Sequence, residues 1–329
     1  MISTVESDVA VIGAGLSGLV AASTLLDAGR NVFVIEKEDD VGGRLATRRI
    51  GDATLDHGAQ FFTVRGDDFR RTVDAAIAEG IVEVWCHGFE IDDGYPRYFC
   101  PNGMSALAMW LAESVRSRGG VIATGKHVRA IEAHDETWRI LVEGEPANLA
   151  TDLIVTSPVP QTMSLIDEGG VLLDPELDET LRAITYKPTL ALLVTLEQPS
   201  AVAAPGGIQR TENDLFTFIT DNHHKGLSAI PALTFHVNGR VSGARWNDNP
   251  AVVLAELLAK AKPWIGDASI IEIELQKWKF AGPYAPHPER YVVARTSPGS
   301  LVLAGDAFGG PKVEGAFNSG QAAAEVLIG

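Results

Sequence analysis

Asp8-Val9-Ala10-Val11-Ile12-Gly13-Ala14-Gly15-Leu16-Ser17-Gly18 is the stretch on which the reading of this chain turns. Residues 8–12 are apolar and β-branched, the composition of a buried strand. Gly13, Gly15 and Gly18 stand at the G-x-G-x-x-G spacing. Leu16, Leu19, Val20, Leu25 and Leu26 then repeat at helical intervals up to the stop at Ala28-Gly29. Asn31 to Glu36 reads as a second buried strand, closing one βαβ unit with a right-handed crossover. In such a unit Gly13 permits the tight turn, Gly15 lets a pyrophosphate approach the backbone, and Gly18 lets helix and strand pack closely. The first helical residues, Leu16, Ser17 and Gly18, present unpaired N–H groups and partial positive charge to phosphate. Glu36, with Lys37 beside it, lies about twenty residues on, where an acid binds ribose hydroxyls and disfavours a 2′-phosphate. The stretch therefore predicts a dinucleotide site.

Working outward, the chain has 329 residues, 46% of them hydrophobic, enough for a large core and two domains. No apolar run reaches the roughly 18 residues of a membrane span. The opening Met1-Ile2-Ser3-Thr4-Val5 lacks the basic start of a signal peptide, so a cytoplasmic protein is expected. A formal net charge of −16 argues against nucleic acid and against anionic membranes as partners. Cys86 and Cys100 are the two cysteines and form no CxxC, so neither a zinc site nor a disulfide framework is expected. No metal is expected elsewhere: the adjacent His223-His224 reads as surface loop, because sequence neighbours rarely aim at one ion.

Short strands are predicted at Val121–Ala123, Val128–Ala133, Trp138–Val142, Asp152–Thr156 and Ser300–Ala304, and a final helix over Gly315–Leu327. Between them, residues 175–290 are rich in proline and alternating strands, with a helix at Ala251–Lys262. The expected class is α/β. A nucleotide domain made of residues 1–75, 103–160 and 290–329 carries an inserted β-rich domain made of 76–102 and 161–289.

Val41-Gly42-Gly43-Arg44 follows the acidic residue closely. It resembles the GG motif of the flavoprotein family that includes amine oxidases, protoporphyrinogen oxidase and phytoene desaturase. Leu55-Asp56-His57-Gly58-Ala59-Gln60-Phe61-Phe62-Thr63 is similar to a narrower signature, that of renalase-like proteins. So are Asn102-Gly103-Met104-Ser105-Ala106-Leu107, Ser157-Pro158-Val159-Pro160-Gln161 and Lys312-Val313-Glu314-Gly315-Ala316-Phe317-Asn318-Ser319-Gly320-Gln321. Order and spacing match that family along nearly the whole chain, with residues 165–275 contributing little.

The resemblance implies a p-hydroxybenzoate-hydroxylase-like fold holding FAD. It implies cofactor contacts from Gly43, Arg44, Gly58, Ala59 and Gln60, from the backbone of Val128 at the adenine side, and from Asp306 of the Gly305-Asp306 pair. Val313, Glu314, Gly315 and Ala316 would set backbone amides against the flavin's pyrimidine edge. Three departures stand out: Phe308 comes one position late, Lys312 replaces an arginine, and His57 stands where a small or apolar residue is common. A cysteine tether late in the chain is impossible after Cys100, so noncovalent FAD is expected.

For chemistry, Gln60 and Trp278 are the candidates to position substrate, with Phe62, Trp246 and Phe280 as pocket wall. In Gln276-Lys277-Trp278-Lys279-Phe280, strand alternation puts both aromatics on one face and both lysines on the other. No triad, metal cluster or nucleophile elbow appears. The resemblance implies an oxidase for misreduced dihydronicotinamide dinucleotides, the 2- and 6-dihydro isomers of NAD(P)H, with O2 as acceptor and H2O2 as product. An amine oxidase or related dehydrogenase on the same scaffold is the second reading. A non-catalytic FAD-binding partner protein is the third.

Overall fold

The computed structural model describes residues 6–329, so the expectation about a leader falls partly outside the described residues. The chain divides into two compact units. The first comprises residues up to Gly43, Ala108–Thr185 and Gly282–Gly329; the second comprises Arg44–Leu107 and Tyr186–Ala281.

In the first unit, Leu301–Leu303, Asn148–Val155, Glu6–Ile12, Val32–Ile35 and Val121–Ala123 lie side by side as parallel strands in that order. Val9–Ile12, Val32–Ile35 and Leu301–Leu303 are wholly buried, as parallel strands covered on both faces require. Val292–Arg295 adds an antiparallel edge, and the hairpin Val128–His134/Thr137–Val142 packs antiparallel on Asn148–Val155. Glu6–Ile12 sits between Asn148–Val155 and Val32–Ile35, so the strand order reverses at its carboxyl end. Ligands bind at such a switch point. The helices Leu16–Asp27 and Lys312–Ile328 pack together beside it. The last helix begins three residues before the expected Gly315, at Lys312, with Pro311 at the N-cap.

The second unit holds a sheet ordered Gly207–Gln209, Phe216–Asp221, Ala232–Val237, Tyr186–Leu196 and Ile270–Pro283. Alternation sends its two faces to different partners. Leu192, Val194, Leu233, Phe235 and Val237 pack with Val253, Leu257, Ala261 and Ile265 of the helix Pro250–Ile265. Leu193 and Ala232 pack with Ile50, Ala53 and Leu55 of the hairpin Thr47–Ile50/Ala53–Asp56.

That hairpin accounts for one shift of boundary. The sequence places it in the nucleotide domain, but its apolar side chains lie against the second sheet, so the first segment of the first unit ends at Gly43. Conversely, the helices Val159–Glu168 and Pro175–Arg182 stay with the first unit, so the chain crosses over at Thr185 rather than at 160. Among the described residues no helix is long and apolar enough to cross a membrane.

Candidate functional site

Gly13 adopts φ +105°, which side chains avoid, and a Cβ there would lie 2.6 Å from Thr156 Oγ1. A Cβ on Gly18 would lie 1.9 Å from the carbonyl oxygen of Gly13. Gly15 differs: φ is −72° and no atom lies within 4 Å of the missing Cβ. Two of the three glycines are thus required by the protein itself, whereas the third opens onto space. No side chain caps the helix that starts at Leu16.

The buried Glu36 carboxylate secures this loop. Oε2 accepts the Ala14 N–H at 2.7 Å and Oε1 accepts the Glu38 N–H at 3.0 Å. The neighbouring Lys37 is exposed and paired with Glu38. The Lys126 N–H donates to the Glu36 carbonyl at 2.8 Å, which brings the start of the strand opened by Val128 to the acid. Val128 itself has a buried side chain. Gly42 donates to the Ala14 carbonyl at 2.9 Å, and Gly43, at φ +52°, lies with its would-be Cβ 3.6 Å from Gly15 Cα. The GG segment is therefore built onto the glycine loop.

The last helix joins them. Ser17 Oγ donates to the Ala316 carbonyl at 2.6 Å, and a Cβ on Gly320 would lie 2.1 Å from the Ser17 carbonyl oxygen. The first turn of the helix from Leu16 meets the last helix there, bringing Ala316 and Gly320 to Ser17. The Ser17 hydroxyl is spent on this helix contact. Gly305 donates to Ser319 Oγ at 2.8 Å and that hydroxyl donates to the Arg290 carbonyl at 2.6 Å, fixing the turn that carries the buried Asp306.

In the second unit, the segment Asp56–Gln60 leaves the hairpin and is held by its backbone. A Cβ on Gly58 would lie 2.1 Å from the Arg44 carbonyl oxygen, which also accepts the Ala59 N–H at 2.9 Å. The Arg44 guanidinium reaches the Phe280 carbonyl at 3.4 Å. Gln60 is 5% exposed and gives its side-chain N–H groups to the carbonyls of Asp56 and Gly58, at 2.8 and 3.2 Å. Two carbonyl partners fix the amide orientation, and Gln60 Oε1 is left buried without a partner.

Trp278 stacks on His57 with ring centres 5.2 Å apart, and its indole N–H donates to the His57 carbonyl at 2.8 Å. Phe280 meets Tyr186 edge-on, and Lys277 and Lys279 are exposed, as the alternation requires. Two pocket candidates lie elsewhere. Phe62 is 3% exposed between Phe69 and Tyr98, so it is a packing residue. Trp246 packs on the helix-covered face of the sheet with Lys277 over its ring, opposite the face that carries Trp278.

An unforeseen group lies beneath Gln60. Lys225 and Asp56 form an ion pair at 2.7 Å with both side chains fully buried. Burial lowers the His57 pKa to about 4, aided by the charges of His236 and Arg48, and burial lowers that of His236 too. Burial pushes the Cys100 thiol up to about 12, with the Asp56 charge adding to it. Asp56 and Lys225 are therefore ion-paired, and His57, His236 and Cys100 are neutral at pH 7. Among the described residues no cluster of three or more His, Cys, Asp and Glu could hold a metal ion.

Residues 84–328 match the family described as flavin containing amine oxidoreductase, and residues 11–76 match a NAD(P)-binding Rossmann-like domain. The chain belongs to the flavin containing amine oxidoreductases. Mouse renalase is 24% identical over 211 residues, 60% of this chain and 61% of its own length. Putrescine oxidase of Kocuria rosea is 42% identical over 72 residues, 22% of this chain and 15% of its own. The chain thus spans under two thirds of the length of these two sequence relatives.

The fold agrees with solved structures of putrescine oxidase and of cyclohexylamine oxidase from Brevibacterium oxydans. TM-scores are 0.71 and 0.69 at 18% and 14% identity. The alignments cover 99% of this chain and 100% of the first, and 98% of this chain and 98% of the second. The cofactor of this family member is FAD, and the first unit fits it. Open space beside Gly15, uncapped helix amides and an acid at the end of the second strand suit the pyrophosphate and ribose.

Proposed function

We propose that the protein oxidises misreduced dihydronicotinamide dinucleotides, the 2- and 6-dihydro isomers of NAD(P)H, to NAD(P)+. FAD, held noncovalently, supplies the two-electron acceptor. The substrate C–H bond breaks with its electron pair and the ring becomes aromatic. The two electrons and the proton of that hydride, with one further proton from solvent, leave on O2 as H2O2.

This chain's residues bind and orient. Leu16, Ser17 and Gly18 amides and Glu36 hold the dinucleotide end of FAD, with Lys37 beside them. The resemblance adds Arg44, Gly58, Ala59 and Gln60, with Asp306 and the amides of Val313–Ala316. Gln60 and Trp278 position the substrate ring, with Phe280 beside Trp278. One observation carries the reading beyond the family: at Asp56–Gln60 the acid Asp56 is ion-paired to Lys225, and the imidazoles of His57 and His236 are neutral. A dihydropyridine suits such surroundings, since no proton must leave before the hydride. The renalase-like motifs along the chain support the same substrate class. The family match keeps amines as a second class.

The test is steady-state peroxide formation in air with each dihydro isomer and with simple amines. Peroxide from the 2- and 6-isomers and not from the 4-isomer or amines is the expected result. Peroxide from amines alone would transfer the protein to the second class, and none from any donor would leave FAD binding without turnover.

A further inference from the structure

The backbone of Asp56–Gln60 is gripped by four side chains from one face of the second unit. Thr234 Oγ1 donates to the Asp56 carbonyl at 2.9 Å. The Trp278 indole donates to the His57 carbonyl at 2.8 Å, and His236 Nε2 lies 3.1 Å from the same oxygen. Lys225 Nζ donates to the Gln60 carbonyl at 2.6 Å and to Asp56 Oδ2 at 2.7 Å. Thr234 and His236 are two apart on one strand and share the face opposite Phe235. Asp56 Oδ1 accepts from Thr47 Oγ1 at 2.7 Å and from the Met104 N–H at 2.8 Å, so the ion pair also ties in the Asn102–Leu107 motif.

Lys225 and Asp56 are both fully buried, and the ammonium lies 5.2 Å from the Trp85 ring centre and 5.7 Å from that of Phe99. A buried pair of this kind rarely gains stability over apolar residues of the same size. Fixing geometry is what it does well. We infer that Lys225 is a positioning residue: through Asp56 and the Gln60 carbonyl, it sets the place of Gln60 for the reaction. This rests on the reading that Gln60 orients substrate.

Replacing Lys225 alone leaves Asp56 buried and unpaired, so that variant is expected to fold poorly. The test is the double variant Asp56→Asn with Lys225→Met, which carries no buried charge. Thr234→Val, nearly isosteric, loosens the same segment and serves if the double variant does not fold. Both are loaded with FAD and mixed anaerobically with whichever donor reduces the wild type. The expected result is stoichiometric flavin with limiting reduction slowed on the order of 10–100-fold in the double variant and less in Thr234→Val. Substrate affinity should change less than that rate. Reduction within about twofold of wild type in the folded variants overturns the inference. A wild type reduced by no donor overturns both it and the function on which it rests.

Discussion

The Gly18 Cα sits so close to Gly13 that a methyl group on it would lie 1.9 Å from the Gly13 carbonyl oxygen, whereas one on Gly15 would meet nothing within 4 Å. The two glycines are kept for different reasons, and substitution separates them. Gly15→Ala leaves the thermal midpoint within about 2 °C of wild type for the apoprotein but costs on the order of tenfold or more in FAD affinity. Gly18→Ala forces the helix off its strand and lowers stability by about 1–3 kcal/mol. Thermal unfolding with and without FAD, beside a flavin titration, checks both. Equal loss of stability in the two would refute the distinction.

Glu36 holds the loop through the Ala14 and Glu38 N–H groups. Glu36→Ala strands a buried donor and is expected to cost about 1–3 kcal/mol in denaturant unfolding, with weaker FAD binding besides. Glu36→Gln retains an acceptor oxygen and loses less of both.

His57 gives the protein a pH dependence with a defined sign. Its pKa falls from an ordinary 6.5 to about 4 in the fold, chiefly by burial. The unfolded chain therefore takes up a proton below about pH 6.5 that the native state refuses until near 4. Stability falls as pH drops through that window and the contribution levels off below it. His236, shifted the same way, adds to the slope. His57→Phe keeps a ring for Trp278 and flattens the slope between pH 6.5 and 4 in urea unfolding. An unchanged slope would remove His57 as the cause.

The cysteines separate by environment. Cys100 is buried with its thiol pushed up to about 12, and Cys86 is half-buried with its thiol also pushed up by burial. A thiol reagent at pH 8 should label Cys86 slowly and Cys100 only after unfolding. Prompt labelling of both would contradict the described packing.

The nucleotide unit was largely legible because its signals are local. Glycine spacing, two apolar runs and one acid lie within Asp8–Glu36, and Gly13 and Gly18 make the tight turn and the close helix–strand approach that the spacing predicts. The domain boundary was not legible, because the hairpin containing Leu55 owes its allegiance to Leu193 and Ala232, far along the chain. Lys225 was hidden for a related reason. It follows His223-His224 in a stretch with no periodicity, and only the turn after Phe216–Asp221 carries it inward to Asp56. Asp56 lies in the Leu55–Thr63 motif, yet a lone acid ending a strand does not announce its partner. Phe62 and Trp246 are aromatics, and aromatics mostly pack.

The proposed reaction is hydride transfer from misreduced nicotinamides to FAD. Anaerobic mixing of the purified flavoprotein with 2-, 4- and 6-dihydronicotinamide dinucleotides and with amines, followed by flavin absorbance, tests it most directly. Rapid bleaching by the 2- and 6-isomers alone, with colour and peroxide returning on admission of air, is the predicted result. Bleaching by amines and by no dihydronicotinamide would contradict it.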